Sequence, residues 1–145
     1  MMNIAIDGPS GAGKSTLSRM LAQKLGYLYI DTGAMYRAVG LYAVRRGVRG
    51  KDNVFARGVE ALLPEIRLDL RHTPQGQRVL LNGEDVTEAV RQPEISRVAS
   101  RVSAIPAVRA FLLERQRHLA RRHDVVMDGR DIGTVVLPRA QLKIF

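Results

Sequence analysis

Two hydrophobic patterns take turns along this chain. Asn3-Ile4-Ala5-Ile6-Asp7 is short, apolar and β-branched, which predicts a strand buried on both faces of a sheet. From Leu17 the apolar positions fall at Leu17, Met20, Leu21 and Leu25, a helical stripe that Gly26 closes. Tyr27-Leu28-Tyr29-Ile30 reads as a second short strand running into the polar turn Asp31-Thr32-Gly33. The segment from Ala34 to Arg46 then places Met35, Val39, Tyr42 and Ala43 on one side of a helix. In the middle, Ile66-Arg67-Leu68-Asp69-Leu70 alternates apolar and charged positions, and Val79-Leu80-Leu81 leads into the turn signal Asn82-Gly83. Period-two alternation predicts half-exposed antiparallel strands, so residues 60–90 read as a small β insert with Arg67, Arg71 and Arg78 on its exposed face. After Pro93 the pattern turns helical from Glu94 to Ser103. Pro106 opens another helix with Val108, Leu112, Arg115 and Leu119 along one side. Asp124-Val125-Val126-Met127 is a further buried strand, and Leu142-Lys143-Ile144-Phe145 begins another.

The strand-to-helix junction at residues 8–15 reads GPSGAGKS. Backbone N–H groups are free at a helix N-terminus and the helix dipole is positive there, so this junction favours a phosphate. Glycines let the backbone wrap closely, Lys14 brings a compact charge to the outer phosphates, and the Ser15 hydroxyl suits a magnesium ion. Gly8, Gly13, Lys14 and Ser15 fill every fixed position of G-x-x-x-x-G-K-[ST]; the bland alternative is a glycine-rich turn with an incidental lysine. A phosphate-loop enzyme also needs a carboxylate at the end of a neighbouring strand to organise magnesium or its waters. Asp128 stands at such a strand end, unless Asp128-Gly129 is only a turn with Arg130 and Asp131 as local partners.

Composition narrows the classes. The 145 residues suit one domain with a small insert, and 46% hydrophobic content supports a core. No stretch approaches the roughly 18 apolar residues of a membrane span, and Met-Met-Asn runs straight into a strand without a signal segment, so a cytoplasmic protein is expected. The absence of cysteine excludes disulfides and thiolate-bound metal. A net charge of +9 points to polyanions. With aromatics at 5% and the basic residues dispersed, small phosphorylated metabolites are favoured over nucleic acid backbones. Arg45, Arg46, Arg49 and Lys51 read as a basic surface loop.

Four segments in series, GPSGAGKS, DTGAMYR at 31–37, ASRVSAIPAVR at 99–109 and DGRDIGTVVLP at 128–138, resemble the bacterial cytidylate kinases of the nucleoside monophosphate kinase family. The resemblance implies an α/β fold: a P-loop three-layer parallel sheet core from residues 1–30 and 112–145, with a small α+β monophosphate-binding insert at 31–111. It implies ATP-dependent phosphorylation of CMP and dCMP in pyrimidine nucleotide metabolism, with Mg2+, by a monomer that uses neither a membrane nor a specific nucleic acid. By position, Gly8, Pro9, Ser10, Gly11, Ala12, Gly13, Lys14, Ser15 and Thr16 would cradle ATP, with Lys14 catalytic and Ser15 near magnesium. Thr32 and Arg37 would face the CMP phosphate, Tyr36 would line the pocket, Ser100 and Arg109 would recognise cytosine, Arg130 would bind acceptor phosphate and Asp131 would help read the base. Outside that resemblance Ser100 reads as a small helix-packing residue and Arg109 as a solvated helix charge.

Bacterial cytidylate kinases continue past the K-I-F strand into an arginine-bearing lid and terminal helices that these residues do not contain. That difference implies weak transfer, and leaves a truncated, non-catalytic nucleotide-binding fragment as the alternative reading.

Overall fold

The computed structural model describes residues 1–9 and 13–145. In chain order these form β1 (Asn3–Asp7), α1 (Lys14–Leu25), β2 (Leu28–Asp31), α2 (Thr32–Arg45) and α3 (Asp52–Leu62). There follow β3 (Leu68–Thr73), β4 (Gly76–Leu81), β5 (Glu84–Asp85), α4 (Pro93–Ser103), α5 (Pro106–Arg122), β6 (Val125–Gly129) and β7 (Leu142–Ile144). Two compact units result: Met1–Thr32 with Leu113–Phe145, and Gly33–Leu112.

The first unit is built on a parallel sheet of order β2-β6-β1-β7. β1 and β6 carry the apolar runs of the sequence, as expected where both faces are covered, and Val125, Val126 and Met127 are wholly buried; β7, Leu-Lys-Ile, is the more exposed strand. Ile4, Ile6, Tyr29 and Val126 form one cluster with Ala22 of α1. The face that α1 turns inward keeps Leu21 of the apolar stripe, which packs against this cluster, but otherwise differs from it. Ser18 and Ala22 are buried, whereas Leu17, Met20 and Leu25 are each about half exposed. The physical reason is size: two small side chains one turn apart let the helix axis approach the sheet, and the Ser18 hydroxyl is satisfied by donating to Lys14 O at 2.7 Å. Gly26 ends the helix at φ 71, where its N–H reaches the carbonyls of Ala22 and Gln23.

The second unit holds α2, α3, α4 and the antiparallel sheet β3-β4-β5. The insert's sheet runs from residue 68 to 85, narrower than the 60–90 span. At its start the difference is the end of α3 and the short turn Leu63–Glu65, and at its end a short turn at Ala89–Arg91; α3 is a helix the sequence reading passed over although Phe55, Val59 and Leu62 line up at helical spacing and are buried. Asn82 (φ 49) and Gly83 (φ 84) make the two-residue hairpin between β4 and β5. The basic stretch after α2 is partly tied down: Arg45 grips Glu84 through two bonds of 2.8 and 3.1 Å, and Arg46 pairs with Glu65 and the Tyr42 hydroxyl. Arg78, expected only as a surface charge, bridges Asp85 and Glu88, and the Asp85 carboxyl is held down at about 2 by the Thr87 hydroxyl and N–H and then by Arg78. Along α5 the buried positions are Val108, Leu112, Gln116 and Ala120, a strict i+4 line that departs from the expected Arg115 and Leu119 after its first turn.

Candidate active site

The carboxyl ends of β1, β6 and β2 lie side by side, because the register pairs Asp7 with Gly129 and Asp31 with Asp128. In an open α/β sheet this edge is where ligands bind. Gly8 and Pro9 leave β1, and Gly13, at φ 77, delivers the chain into α1; Ser10, Gly11 and Ala12 lie outside the described residues. Ser15 and Thr16 are exposed on the first turn of α1. Lys14 reaches back over the strand ends, its Nζ donating to Gly8 O at 2.8 Å and to Gly129 O at 3.1 Å. Lys14 thus touches the β6 segment directly, and Gly8 N also donates to Gly129 O at 3.4 Å.

Asp128 is buried and is held from two sides. The Tyr29 hydroxyl donates to its Oδ2 at 2.9 Å, and the Thr32 hydroxyl donates to its main-chain carbonyl at 2.9 Å. Burial, and then the charge of Asp31 across the strand pair, push the Asp128 carboxyl up to about 6. The hydrogen bond from Tyr29, the nearby Ser18 hydroxyl and the charge of Lys14 pull the other way. The Tyr29 hydroxyl is itself pushed upward by burial and by the two carboxylates, so it stays a donor throughout the physiological range. A carboxyl so displaced at a strand end beside a phosphate loop is the kind of group found at working sites.

Beyond β6 the chain takes a left-handed step at Asp131 (φ 59) and enters one wide helical turn, Ile132–Val136. The Asp7 carboxylate accepts the Ile132 N–H at 2.7 Å and the Gly133 N–H at 2.9 Å. Arg117 holds the far end of the turn by donating to the carbonyls of Val135 and Val136. Arg130 and Asp131 are exposed just before this turn.

Lys14, Thr32, Asp128, Arg130 and Asp131 therefore gather in the first unit, and Tyr36, Arg37, Ser100 and Arg109 belong to the second. Tyr36 and Arg37 lie half-buried in the first two turns of α2, while Ser100 on α4 and Arg109 on α5 are exposed. The Ser100 hydroxyl donates to Ser96 O at 3.4 Å. Gly40, one turn beyond Tyr36 and Arg37, lets α2 approach α4: a Cβ there would lie 3.4 Å from the backbone nitrogen of Ala99, next to Ser100. Residues at this edge that the sequence reading did not assign to the site are Asp7, Ser18, Tyr29 and the partner carboxylate Asp31. Asp7 and Asp31 carried a signal, since both end strands at the ligand edge; Tyr29 and Ser18 looked like core and carried none.

A family model described as cytidylate kinase matches residues 4–145. The cytidylate kinase of Pelotomaculum thermopropionicum is 55% identical over 144 residues, covering 99% of this chain and 62% of that protein. Those of Caldicellulosiruptor bescii and Symbiobacterium thermophilum are 52% and 53% identical, over 99% and 98% of this chain and 62% of each protein. The chain spans about 62% of the length of these curated relatives.

Proposed function

The chain belongs to the cytidylate kinase family, and from that premise we propose that it binds MgATP and CMP or dCMP for transfer of the terminal phosphoryl group to the monophosphate. The observation that carries this reading is the position of Lys14. Its ammonium lies between Gly8, which opens the phosphate loop, and Gly129, which immediately precedes Arg130, so the proposed donor-side and acceptor-side segments meet at one cation.

Phosphoryl transfer asks for two anions brought in line and for the charge on the equatorial oxygens to be neutralised. The loop from Gly8 to Thr16 cradles the donor phosphates and Lys14 supplies a compact positive charge at the transferring group. Arg37 and Arg130 hold the acceptor phosphate with their planar forks, Thr32 faces the same phosphate, and Tyr36 lines the pocket. Cytosine offers an amino donor and ring acceptors, to which Asp131, Ser100 and Arg109 are complementary. The donor set also suits magnesium, which takes one or two carboxylates, hydroxyls and substrate phosphates: Ser15 is exposed on α1, and Asp128 with Asp31 sets a carboxylate pair at the strand ends. When bound, the ion neutralises charge on the donor phosphates, and Asp128 orients it or its waters. Among the described residues no helix is long and apolar enough to cross a membrane. We place the reaction in cytoplasmic pyrimidine nucleotide metabolism, carried out by a monomer.

A second reading for these residues taken alone is nucleotide binding without transfer. Calorimetric titration with CMP, dCMP, UMP and AMP in the presence of MgATP, with turnover followed in the same samples, separates the two. CMP or dCMP held at least about tenfold tighter than UMP or AMP, a difference of about 1.4 kcal/mol, supports the base pocket, and turnover decides between the readings. Equal affinity for all four in a folded chain sinks the CMP-specific reading, and no binding of any of them sinks both.

A further inference from the structure

We propose that Asp7 is a positioning residue for the acceptor-side pair Arg130 and Asp131, an inference that rests on the functional reading above for what that pair does. Asp7 is the last residue of β1, and its carboxylate crosses to the chain beyond β6, one oxygen accepting the Ile132 N–H and the other the Gly133 N–H. Two successive backbone donors converge on one acceptor-only group, an arrangement only a carboxylate can satisfy in full.

What this clasp holds gives it its role. Gly129 is fixed on one side, its carbonyl accepting from Lys14 Nζ and from Gly8 N. Ile132 is fixed on the other, 1% exposed and bonded through its N–H to Asp7. Only Arg130 and Asp131 lie between the two fixed points, both exposed, the second in a left-handed conformation that a non-glycine residue adopts at some cost. With both ends pinned the two side chains leave the backbone in set directions, and a ligand meets a site that is already ordered. With the Asp7 pin removed, the ordering has to be done when the acceptor binds. The cost then falls on CMP, the ligand that this pair meets, more than on ATP, even though the ATP loop begins at Gly8, directly after Asp7.

Gly133 supports the assignment from the other side of the contact. A Cβ there would lie 3.3 Å from Asp7 Oδ2 and 3.2 Å from Cγ and Cδ of Lys143, so the glycine is the residue that leaves room for the carboxylate.

The test uses the full chain with Asp7→Asn, in which one of the two backbone donors faces an NH2 group. Amide hydrogen exchange at Ile132 and Gly133 is compared with that at Ile6 and Met127, and CMP and MgATP are titrated separately. The expected result is exchange at 132 and 133 faster by about tenfold or more, with the two strand amides unchanged. CMP affinity should fall by about tenfold or more, and MgATP affinity should stay within about twofold. Unchanged exchange at 132 and 133, or equal losses for CMP and MgATP, overturns the proposal. Should Asp7→Asn fail to fold, Gly133→Ala displaces the same carboxylate without removing its charge. It must then show the same loss for CMP alone, and a loss shared with MgATP counts against the clasp. A wild-type chain that selects no nucleotide would sink the functional reading while leaving the exchange comparison to decide whether the clasp exists.

Discussion

The Thr32 hydroxyl fills the space a side chain at position 129 would need: a Cβ on Gly129 would lie 2.1 Å from Thr32 Oγ1. The same hydroxyl donates to the carbonyl of Asp128 at 2.9 Å, so it rests against the β6 backbone where the strand delivers Asp128 to the ligand edge. Glycine is required at 129 for this approach and not for any left-handed dihedral. Gly129→Ala should therefore cost about 2–4 kcal/mol, by overpacking and by loss of the hydrogen bond. Adding Thr32→Ala removes the clashing oxygen and should recover part of that. Thermal or urea unfolding of the two single variants and the double variant measures the coupling, expected at about 1 kcal/mol or more. Simple additivity would show that the strand relaxes around the new methyl group.

Asp128 gives a pH-dependent prediction of definite sign. Its folded-state carboxyl is raised from 3.8 to about 6, chiefly by burial, so between those values the native state binds more protons than the unfolded chain. Stability contributed by this group is thus full at low pH and declines as pH rises through about 6. Asp128→Asn removes the charge and keeps an acceptor for Tyr29. It should stabilise the protein at pH 7.5 by about 1–3 kcal/mol and have little effect near pH 4, while abolishing any transfer activity. Melting curves at the two pH values check this, and a stabilisation of equal size at both would mean that the burial cost of the charge is not its source.

Much of this was legible because local pattern and global fold agree. The strands at 3–7 and 125–129 are centred on the unbroken apolar runs Ile4–Ile6 and Val125–Met127, and the Asn82-Gly83 turn has the positive φ values that its residues favour. The errors lie where packing chose among several apolar positions. Periodicity marked Leu17, Met20 and Leu25 as the inner face of α1, but the sheet accepted Ser18 and Ala22 because close approach needs small side chains. Helix α3 went unseen because it follows a run of arginines and glycines that reads as a loop. In the candidate site, Lys14 and Asp128 stand out by residue type and place. The Tyr29–Asp128 bond joins β2 to β6, residues almost a hundred positions apart, and nothing in either strand alone shows that the tyrosine's polar end faces a carboxylate.

The base-reading assignment predicts an asymmetry between the two nucleotides. Ser100→Ala and Arg109→Ala alter exposed side chains on α4 and α5, so neither should change unfolding stability by more than about 0.5 kcal/mol. Loss of the Arg109 charge-assisted hydrogen bond should weaken CMP by about tenfold or more, with a smaller loss for Ser100, while MgATP affinity stays unchanged. Parallel titrations of both nucleotides provide the check, and equal weakening of MgATP would contradict the pocket.

Lys14 tests charge against shape. Its ammonium fits between the carbonyls of Gly8 and Gly129 because three donors on a compact head can serve two oxygens at 2.8 and 3.1 Å and still leave a proton for a phosphate. Lys14→Ala should weaken MgATP by about tenfold or more and remove measurable transfer. Lys14→Arg keeps the charge but replaces that head with a flat fork too broad for the gap between the strand ends. It should restore less than about a tenth of the lost affinity, because a displaced guanidinium cannot reach both carbonyls and a phosphate together. Titration of MgATP against both variants, read with their unfolding curves, distinguishes the cases. Full recovery by arginine would mean that positive charge alone suffices, and that the contact with Gly129 does not help place the cation.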